Sequence, residues 1–544
     1  MSHVPQSVSR RLRPSRWGVL CCAGLLAGSS LGLATGRVTA AAATSSATAS
    51  SWTVYHGDAT GSGVAGPLGA VDTSSAAWTS PGLDGQLYGE PLVFGSDVFV
   101  ATENDTVYAL SSSTGAVVWS THIASPVPSS SLPCGDITPT VGITGTPVID
   151  PSRGEIFVVA DEQVQGRPAH TLVGLNTTTG AIEMTRDVDP PGASPAALLQ
   201  RTGLTLDAGR VVFALGGNYA DCPTYRGRVV AVDEAGATPT YFTVDAGTGQ
   251  SQGAIWMGGG APAVDSSGNI WVGVGNGSVT SAGQPYDDSD SALELSSTLG
   301  LLHYFAPTGW AQDNADDQDF SMPPVLLSDG QVVMAGKSRM VYLLDGTHLG
   351  GIGGQETQLA SECGGDIDGG AAAVGTTVYL PCLSGTIAVG VTAAPPSLHL
   401  LWSARVGGGP PIVAAGLVWT MGQNGTLYGL DPATGAVRQQ AAVGVPANHF
   451  PTPSAGDGLL LATSSTRVVA FHAAPSGPTT TTPSGPTTTT TTQPESTGGS
   501  ASKAHAAPPP TSGGGGIPAG ALAGLVAGGV LLLAAIVWVL RRRR

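Results

Sequence analysis

Short runs of alternating apolar and polar residues, each followed by a turn, recur along most of the chain. The clearest copy is NGTLYGLDPATGAV, from Asn424 to Val437. Its first half alternates large apolar residues with others, which is typical of a strand with one buried face. Asp431, Pro432 and Gly435 then favour a tight turn, because proline presets φ, aspartate bonds its own backbone and glycine accepts positive φ. The unit is predicted to be strand, turn, strand.

The same unit recurs, and its spacing predicts the architecture. Aligned on the last apolar residue of the first strand, the copies end at Leu110, Leu175, Val232, Leu295, Leu344, Val389, Leu430 and Phe471. Their intervals fall from 65 residues (110 to 175) to 41 (430 to 471). About 41 residues is what one four-stranded propeller blade requires. The pattern predicts an all-β, eight-bladed propeller with loop insertions in its first half.

The two ends of the repeat region predict how the ring closes. The copy ending at Phe471 runs into a linker and lacks an outer strand. AAWTS, around Trp78, has the pattern of an outer strand but no repeat before it. We therefore expect this N-terminal strand to complete the last blade, since closure removes exposed sheet edges. WTVYHGDATGSG, from Trp52, is predicted to form a short strand and a glycine turn.

The segments outside the repeats predict an exported, anchored protein. Arginines precede an apolar run and a small-residue cleavage pattern, so 1–40 is predicted to be a signal peptide, and SRRLR leaves both the general and the twin-arginine export routes open. Residues 41–51 are predicted to be disordered. The propeller is placed at 52–473, a Thr-, Pro- and Gly-rich stalk at 474–516, a transmembrane helix at 517–540 and a basic tail at 541–544. The arginines of this tail predict a single-pass plasma-membrane protein with an extracellular propeller and a cytoplasmic C-terminus.

Four cysteines lie beyond the predicted signal peptide, an even number that favours disulfides in an exported chain. Of the three possible pairings we favour Cys134 with Cys222 and Cys363 with Cys382. Their spacing does not fit a CxxC metal or redox site.

Charge and composition exclude one class of partner. The formal net charge is −16, so nucleic-acid binding is disfavoured. Charged residues make up only 11% of the chain and glycine occurs 79 times, as expected of a turn-rich all-β surface.

The repeat phrase resembles that of a known family. VYAL, followed by three variable residues, TG and an apolar strand ending in Trp, resembles the PQQ-like repeats of quinoprotein alcohol dehydrogenases and outer-membrane assembly lipoproteins. The resemblance covers about Trp52 to Phe471. WTVYHGDATGSG, GITGTPVID and DNADDQDFSMPPVLL also resemble exported, membrane-anchored actinobacterial members. The resemblance implies a PQQ-like propeller, and in the dehydrogenases PQQ and calcium lie over the central channel, where an aspartate acts as general base.

The resemblance also assigns candidate site residues. IWVGVGNGS is similar to the segment whose asparagine ligates the metal, which implies that role for Asn276. MAGKSRMVYLLD is similar to the segment whose basic residue contacts the quinone, which implies Lys337. Trp256 lies in an insertion, where it would suit stacking on a quinone, a sugar or a peptide, or would pack as blade core. A turn role for Asn276 and a solvated Lys337 are the structural alternatives.

The position of the catalytic aspartate departs from the family pattern. Aligned on the following Pro-Val-Leu, Asn314 occupies that position, and an amide cannot take the proton. Asp313 or Asp317 would then be the alternative base. Asp317 and Asp319 match accompanying acids of the family and, with Asn276, would supply oxygen ligands for calcium, or they lie in a solvated loop. The adjacent cysteine pair of many such enzymes is missing from the mature chain.

Three hypotheses about function follow. The leading one is an envelope-anchored extracellular propeller that binds a ligand or scaffolds proteins without turnover, with an envelope protein or a carbohydrate as partner. The alternative is a PQQ- and calcium-dependent dehydrogenase that oxidises an alcohol or sugar. A third is PQQ or another ligand bound without turnover. The cofactors are accordingly PQQ and calcium, or none. A second acidic stretch, Asp287, Asp288 and Asp290, is interpreted as surface loop.

Overall fold

A computed structural model describes residues 50–474, which belong to the first of two compact units, Met1–Pro478. The predicted signal peptide, the transmembrane helix, the basic tail and all but the first residue of the predicted stalk lie outside the described residues. Within 50–474, no helix combines the length and the apolar character needed to cross a membrane.

The predicted eight-bladed propeller is confirmed. Each blade is an antiparallel sheet whose strands are named A to D from the axis outward, and blades are numbered from the first repeat. Blades 1 to 4 consist of Leu92–Phe94, Asp97–Ala101, Thr106–Ser111 and Val117–His122; Val148–Asp150, Glu155–Val164, Arg167–Asn176 and Ile182–Asp187; Thr205–Asp207, Arg210–Gly217, Arg228–Asp233 and Thr240–Thr243; and Ala263–Val264, Ile270–Val274, Ser291–Leu295 and Leu301–Ala306.

The second half of the ring is more regular. Blades 5 to 8 consist of Val325–Leu326, Gln331–Ala335, Met340–Asp345 and Thr357–Ala360; Ala372–Val374, Thr377–Cys382, Gly385–Ala393 and Pro396–Ala404; Ile412–Ala414, Leu417–Met421, Thr426–Leu430 and Val437–Ala442; and Ser454–Gly456, Leu459–Ser464, Arg467–His472 and Trp78–Thr79. The other elements are strands Val127–Pro128, Thr140–Val141, Leu198–Leu199 and Gly351–Ile352, 3-10 turns Ser129–Ser131, Pro195–Ala197 and Met257–Gly259, and the helix Trp310–Asp316.

The ring closes as predicted. Strand D of blade 8 is Trp78–Thr79, which pairs with strand C of that blade so that Trp78 lies opposite Ala470. The last blade is thus built from both ends of the repeat region, and the sheet edge that the eighth repeat leaves open is covered.

The repeat motif also joins neighbouring blades. Trp402, on strand D of blade 6, packs on the C–D turn of blade 7, where its Nε1 donates to the Pro432 carbonyl at 2.9 Å. Gly435 in that turn has φ +68°, and a Cβ there would lie 2.5 Å from the indole. Equivalent contacts join Trp78 to Gly115 and Trp119 to Gly180. The glycine of the repeated TG is therefore required both by the turn and by the tryptophan of the preceding blade.

The two faces of the ring differ. One face, the loop face, carries the B–C loops and the long D–A connections, including the four segments described below as the candidate site. The opposite turn face carries the short A–B and C–D turns. Both predicted disulfides, Cys134–Cys222 and Cys363–Cys382, lie among the loops of the loop face. The first joins a loop between blades 1 and 2 to the B–C loop of blade 3, and so braces two neighbouring insertions.

A hairpin formed by residues 52–65, the plug, fills the central channel. It enters from the turn face along blades 1 and 2 and returns along blade 7, because Trp52 pairs antiparallel to Val93 and Val64 parallel to Val413. Trp52, Tyr55 and His56 are 1%, 3% and 0% exposed. Backbone hydrogen bonds join the plug to strand A of five blades, at Val93, Ile149, Val264, Ala373 and Val413. The predicted short strand is not formed, because Trp52 makes only an isolated bridge, but the turns of this segment belong to a structure that ties opposite sides of the ring together.

Both ends of the described chain leave the propeller on the turn face. The Ser50 carbonyl accepts a hydrogen bond from Asp457, in the A–B turn of blade 8. At the other end, the Ala474 N–H donates to the Ala70 carbonyl beyond strand C of the same blade. Neither end of the described residues therefore lies on the loop face.

Candidate functional site

Four segments of the loop face bring the sequence-predicted residues together. They are the connection between blades 3 and 4 (244–262), the B–C loop of blade 4 (275–290), the connection between blades 4 and 5 (307–324) and the B–C loop of blade 5 (336–339). Three of them are insertions relative to the shortest repeats. The third contains the helix Trp310–Asp316, which begins after Gly309 and ends at Asp317, whose φ is +60°.

Lys337 lies at the centre of the site. Its Nζ is 2.5 Å from Asp319 Oδ2 and 3.0 Å from Asp317 Oδ1. The same ammonium lies over the Trp256 ring, 4.9 Å from its centroid. The Lys337 N–H also donates to the Asp319 carbonyl at 2.9 Å. Because the backbone and the side chain are both held, the ammonium has little freedom to move.

The two asparagines have structural roles in this arrangement. The Asn276 N–H donates to Asp319 Oδ1 at 2.7 Å. Asn314 is 6% exposed; its Oδ1 accepts from the Gly277 N–H at 2.6 Å, and its Nδ2 donates to the Val279 carbonyl and to Ser289 Oγ. The Asn314 amide therefore braces the helix against the blade 4 loop, and neither of its polar atoms is left for a ligand.

The charges of the site depend on one another. Burial raises the pKa of Asp319 to about 6, with Lys337 acting in the opposite direction. Burial also works against the charge of Lys337, but Asp319 and Asp317 outweigh it and raise the pKa of the ammonium. The ammonium is therefore charged at every physiological pH, and Asp319 titrates near neutrality.

Asp290 lies beneath this pair. It is 1% exposed, and neither of its carboxylate oxygens has a hydrogen-bond partner among the described residues. Burial and the charges of Asp319 and Asp313 raise its pKa well above the ordinary range. The interpretation of Asp287 and Asp290 as surface loop is wrong, because both are buried, Asp287 at 2%. Their spacing is typical of a polar loop, and the local sequence contains no signal that a neighbouring insertion would bury them.

Asp313 and Asp317, the alternative bases, lie in different places. Asp317 is 71% exposed at its side chain and faces Lys337. Asp313 is close enough to Asp290 and Tyr342 to influence their pKa values, and burial raises its own pKa to about 6. Asp313 makes no contact with Lys337 among the described hydrogen bonds and ion pairs. The two acids therefore do not form one catalytic pair.

Sequence reasoning missed two further members of the site. Tyr225 Oη donates to Asp221 Oδ1 at 2.5 Å, and the charges of Asp317 and Lys337 reach Asp221. Both residues come from the B–C loop of blade 3, held by the disulfide at Cys222. The disulfide was the available signal, since it indicated a loop that must stay in place.

A calcium ion does not fit this arrangement. Asp317 and Asp319, two of its three implied ligands, both pair with the Lys337 ammonium, so a divalent cation would have to displace a cation that is already held. The contact of Asn276 with these acids is made by its backbone N–H, which donates to Asp319 Oδ1 and so occupies an oxygen that a metal would need. No group of three or more His, Cys, Asp or Glu side chains within 50–474 is arranged to hold a metal ion.

A quinone fits no better. The ammonium of Lys337 lies over one face of the Trp256 ring, so a quinone could stack on that face only after the ammonium had moved. The same ammonium, which the resemblance assigns to the quinone, is already paired with two carboxylates. The residues converge as the resemblance implies, and they are satisfied by one another.

Comparisons with known proteins agree with the fold. The sequence model of the family described as outer membrane protein assembly factor BamB matches residues 35–289. No curated protein sequence matches the chain significantly. Among solved structures, quinohemoprotein alcohol dehydrogenases from Pseudomonas putida and Comamonas testosteroni superpose with TM-scores of 0.59 and 0.58 at 13% and 14% identity, each covering 78% of this chain and 80% of their own. A europium-containing methanol dehydrogenase has a TM-score of 0.55 at 14% identity, over 78% of this chain and 98% of its own.

The family model covers a little less than half of the chain, and together with the eight-bladed fold it shows similarity to PQQ-like β-propellers. The sequence identities to the dehydrogenases are so low that the similarity shows only a shared fold. Its function must therefore be argued from the site.

Proposed function

We propose that this propeller is a binding or scaffolding module of the cell envelope that does not turn over a substrate. The observation that carries the proposal is the ion-paired Lys337. Its ammonium and the two carboxylates it holds satisfy one another, over the face of Trp256. A catalytic site needs groups that are free to exchange protons or to bind a reacting atom.

The position of the general base supports the same conclusion. Asn314 lies where the resemblance places the catalytic aspartate, and both ends of its amide are engaged within the protein. A neutral amide neither takes a proton nor moves out of this network without leaving buried polar groups unpaired.

The family match agrees with a role in assembly. The matching family is described as an outer membrane assembly factor. Two disulfides hold segments of the loop face, and both ends of the described residues lie on the turn face. We therefore propose the loop face as the surface that contacts an envelope protein or a carbohydrate.

A PQQ- and calcium-dependent dehydrogenase is the second candidate. The convergence of Lys337, Asn276, Asp319 and Trp256 in one place, as the resemblance implies, is the observation in its favour. It would require Lys337 to leave its carboxylates when the cofactor binds.

Thermal unfolding separates the two candidates at the level of binding. A ligand at 100 times its dissociation constant stabilises a protein by about 2.7 kcal/mol. For residues 50–474 the entropy of unfolding is about 0.9 kcal/mol/K, so the midpoint would rise by about 3 °C. We expect no rise with PQQ and calcium added together. A rise that is lost in Lys337→Met would show that the cofactor binds at this site, and reduction of an electron acceptor by an alcohol or sugar would then overturn the proposal.

A further inference from the structure

The axis of the propeller is closed toward the loop face. At the tip of the plug, Tyr55 Oη accepts a hydrogen bond from the Gly370 N–H at 3.0 Å. Above it, the connections leading into blades 4 and 6 touch, since a Cβ added at Gly258 would lie 2.3 Å from the Gly369 nitrogen. A ligand on the axis must therefore bind at the surface of the mouth, outside the channel.

One arginine lies at this mouth. Arg201, in the connection between blades 2 and 3, places its guanidinium over the ring of Phe450, 4.6 Å from the centroid. Phe450 comes from the connection between blades 7 and 8 and is 9% exposed. The contact thus spans the mouth from one side of the ring to the other.

The guanidinium itself is unused. Among the described residues, no hydrogen bond or ion pair is formed by the Arg201 side chain, although it is only partly exposed. The contact with Phe450 holds the guanidinium in place, and its N–H groups form no hydrogen bond among the described residues. An arginine held in this way loses little further conformational freedom when a ligand binds.

The neighbouring acids do not neutralise Arg201 by contact. Glu103 and Asp368 are close enough for the arginine to influence their pKa values, but neither forms an ion pair with it. Burial raises the pKa of Glu103 to about 8, and one of its oxygens accepts a hydrogen bond from the Gly142 N–H. At pH 7 Glu103 is therefore mostly protonated, and Asp368, whose pKa is also raised by burial, forms no ion pair with Arg201 among the described residues.

We propose that Arg201, held on Phe450, is a recognition site for a carboxylate on the axis of the loop face. The two parallel N–H groups of a guanidinium edge match a carboxylate geometrically. A single arginine beside two acids favours contact with one carboxylate group, which carries one charge, over contact with a phosphate group, which carries about two at pH 7. The proposal rests on the binding role above and names its ligand class. The carboxylate comes either from a small dicarboxylate or from a protein chain.

Isothermal titration calorimetry with two kinds of probe tests the proposal and separates the sources. Succinate represents a small dicarboxylate, and a glycine tripeptide with a free C-terminus, compared with its amide, represents a chain end. We expect at least one of these carboxylates to bind the purified protein, and Arg201→Gln to weaken that binding about tenfold or more. Arg201→Lys should weaken it severalfold, because the charge remains but the fork is lost. Arg405→Gln, at an exposed arginine on the same face, is the matched control and should have no effect.

A chemical measurement on the unaltered protein guards against a variant that fails to fold. Phenylglyoxal modifies arginines, and peptide mass spectrometry reports each site. The probe that binds should protect Arg201 and leave Arg405 reactive. Absence of binding by both probes, equal affinity in Arg201→Gln, or no protection of Arg201 would overturn the proposal. Dye reduction with an alcohol would overturn only the binding role without turnover, so the two failures are distinguishable.

Discussion

Replacing Lys337 with methionine is the sharpest test of how the site is held together. Methionine keeps the length and the apolar stem over Trp256 but removes the ammonium. Asp319, 1% exposed at its side chain, would then be buried without its partner. Breaking a buried pair costs about 3–5 kcal/mol, and we expect the lower end because Lys337 itself is 17% exposed.

The destabilisation caused by Lys337→Met must depend on pH, in a direction that is set by Asp319. Its folded pKa is about 6, above that of an unfolded carboxyl, so its contribution to stability falls as pH rises through that value. Removing Lys337 raises this pKa further and extends the loss to higher pH. Between pH 6 and pH 8 the difference in free energy of unfolding between wild type and Lys337→Met grows to about 2.7 kcal/mol, at about 1.4 kcal/mol per pH unit. At pH 5 Asp319 is mostly protonated in both proteins.

Thermal unfolding followed by circular dichroism measures this difference. With an unfolding entropy of about 0.9 kcal/mol/K, Lys337→Met should lower the midpoint by about 3 °C at pH 8 and by less than about 1 °C at pH 5. Asp317→Asn is the control, since that carboxylate is 71% exposed and should change the midpoint by less than about 1 °C. An equal loss at both pH values, or none at pH 8, would refute the reasoning.

Three further predictions concern residues away from the site. His170 is buried between Asp161 and Asp189, at 2.6 and 2.7 Å, and these carboxylates outweigh burial to raise its pKa to about 10. His170→Asn should lower the free energy of unfolding by about 3 kcal/mol at pH 6, and this loss should shrink as pH rises through 10. Urea unfolding at several pH values would measure it. Burial raises the pKa of Asp105 to about 9, and neither of its oxygens has a hydrogen-bond partner within 50–474. Wild type should therefore lose stability from about pH 4 to pH 9. Asp105→Asn should be more stable than wild type by about 1 kcal/mol or more at pH 8 and similar at pH 4, and equal stability at both pH values would contradict this. Trp52→Ala in the plug should cost about 3–5 kcal/mol because the indole is 1% exposed; a change below about 1 kcal/mol, measured by the same unfolding, would mean that the plug does not hold the ring.

The repeat pattern was enough to predict the ring because its signals are local. Alternation placed the B and C strands, the TG turn placed the change of direction, and the tryptophan of the outer strand identified Trp78 as the missing piece of blade 8. The contact of Trp402 with Gly435 explains why that glycine and that tryptophan occur in the same repeat. Both disulfide pairings were also predicted correctly, from spacing and an even count.

The plug could not be predicted, because its hydrogen bonds connect residues far apart in the chain. Nothing in WTVYHGDATGSG indicates that Trp52 pairs with Val93 and Val64 with Val413. The same limit applies to Arg201, whose partner Phe450 lies three blades away around the ring. For Lys337 the sequence indicated the neighbourhood correctly, but only the coordinates place both carboxylates on one ammonium.

The central claim is that this propeller binds without turnover, and dye reduction tests it most directly. The purified protein would be incubated with PQQ and calcium, then with an artificial electron acceptor and a panel of alcohols and sugars. We predict no reduction above a protein-free control. Reduction that disappears in Lys337→Met or Asn276→Ala would contradict the account and establish a dehydrogenase.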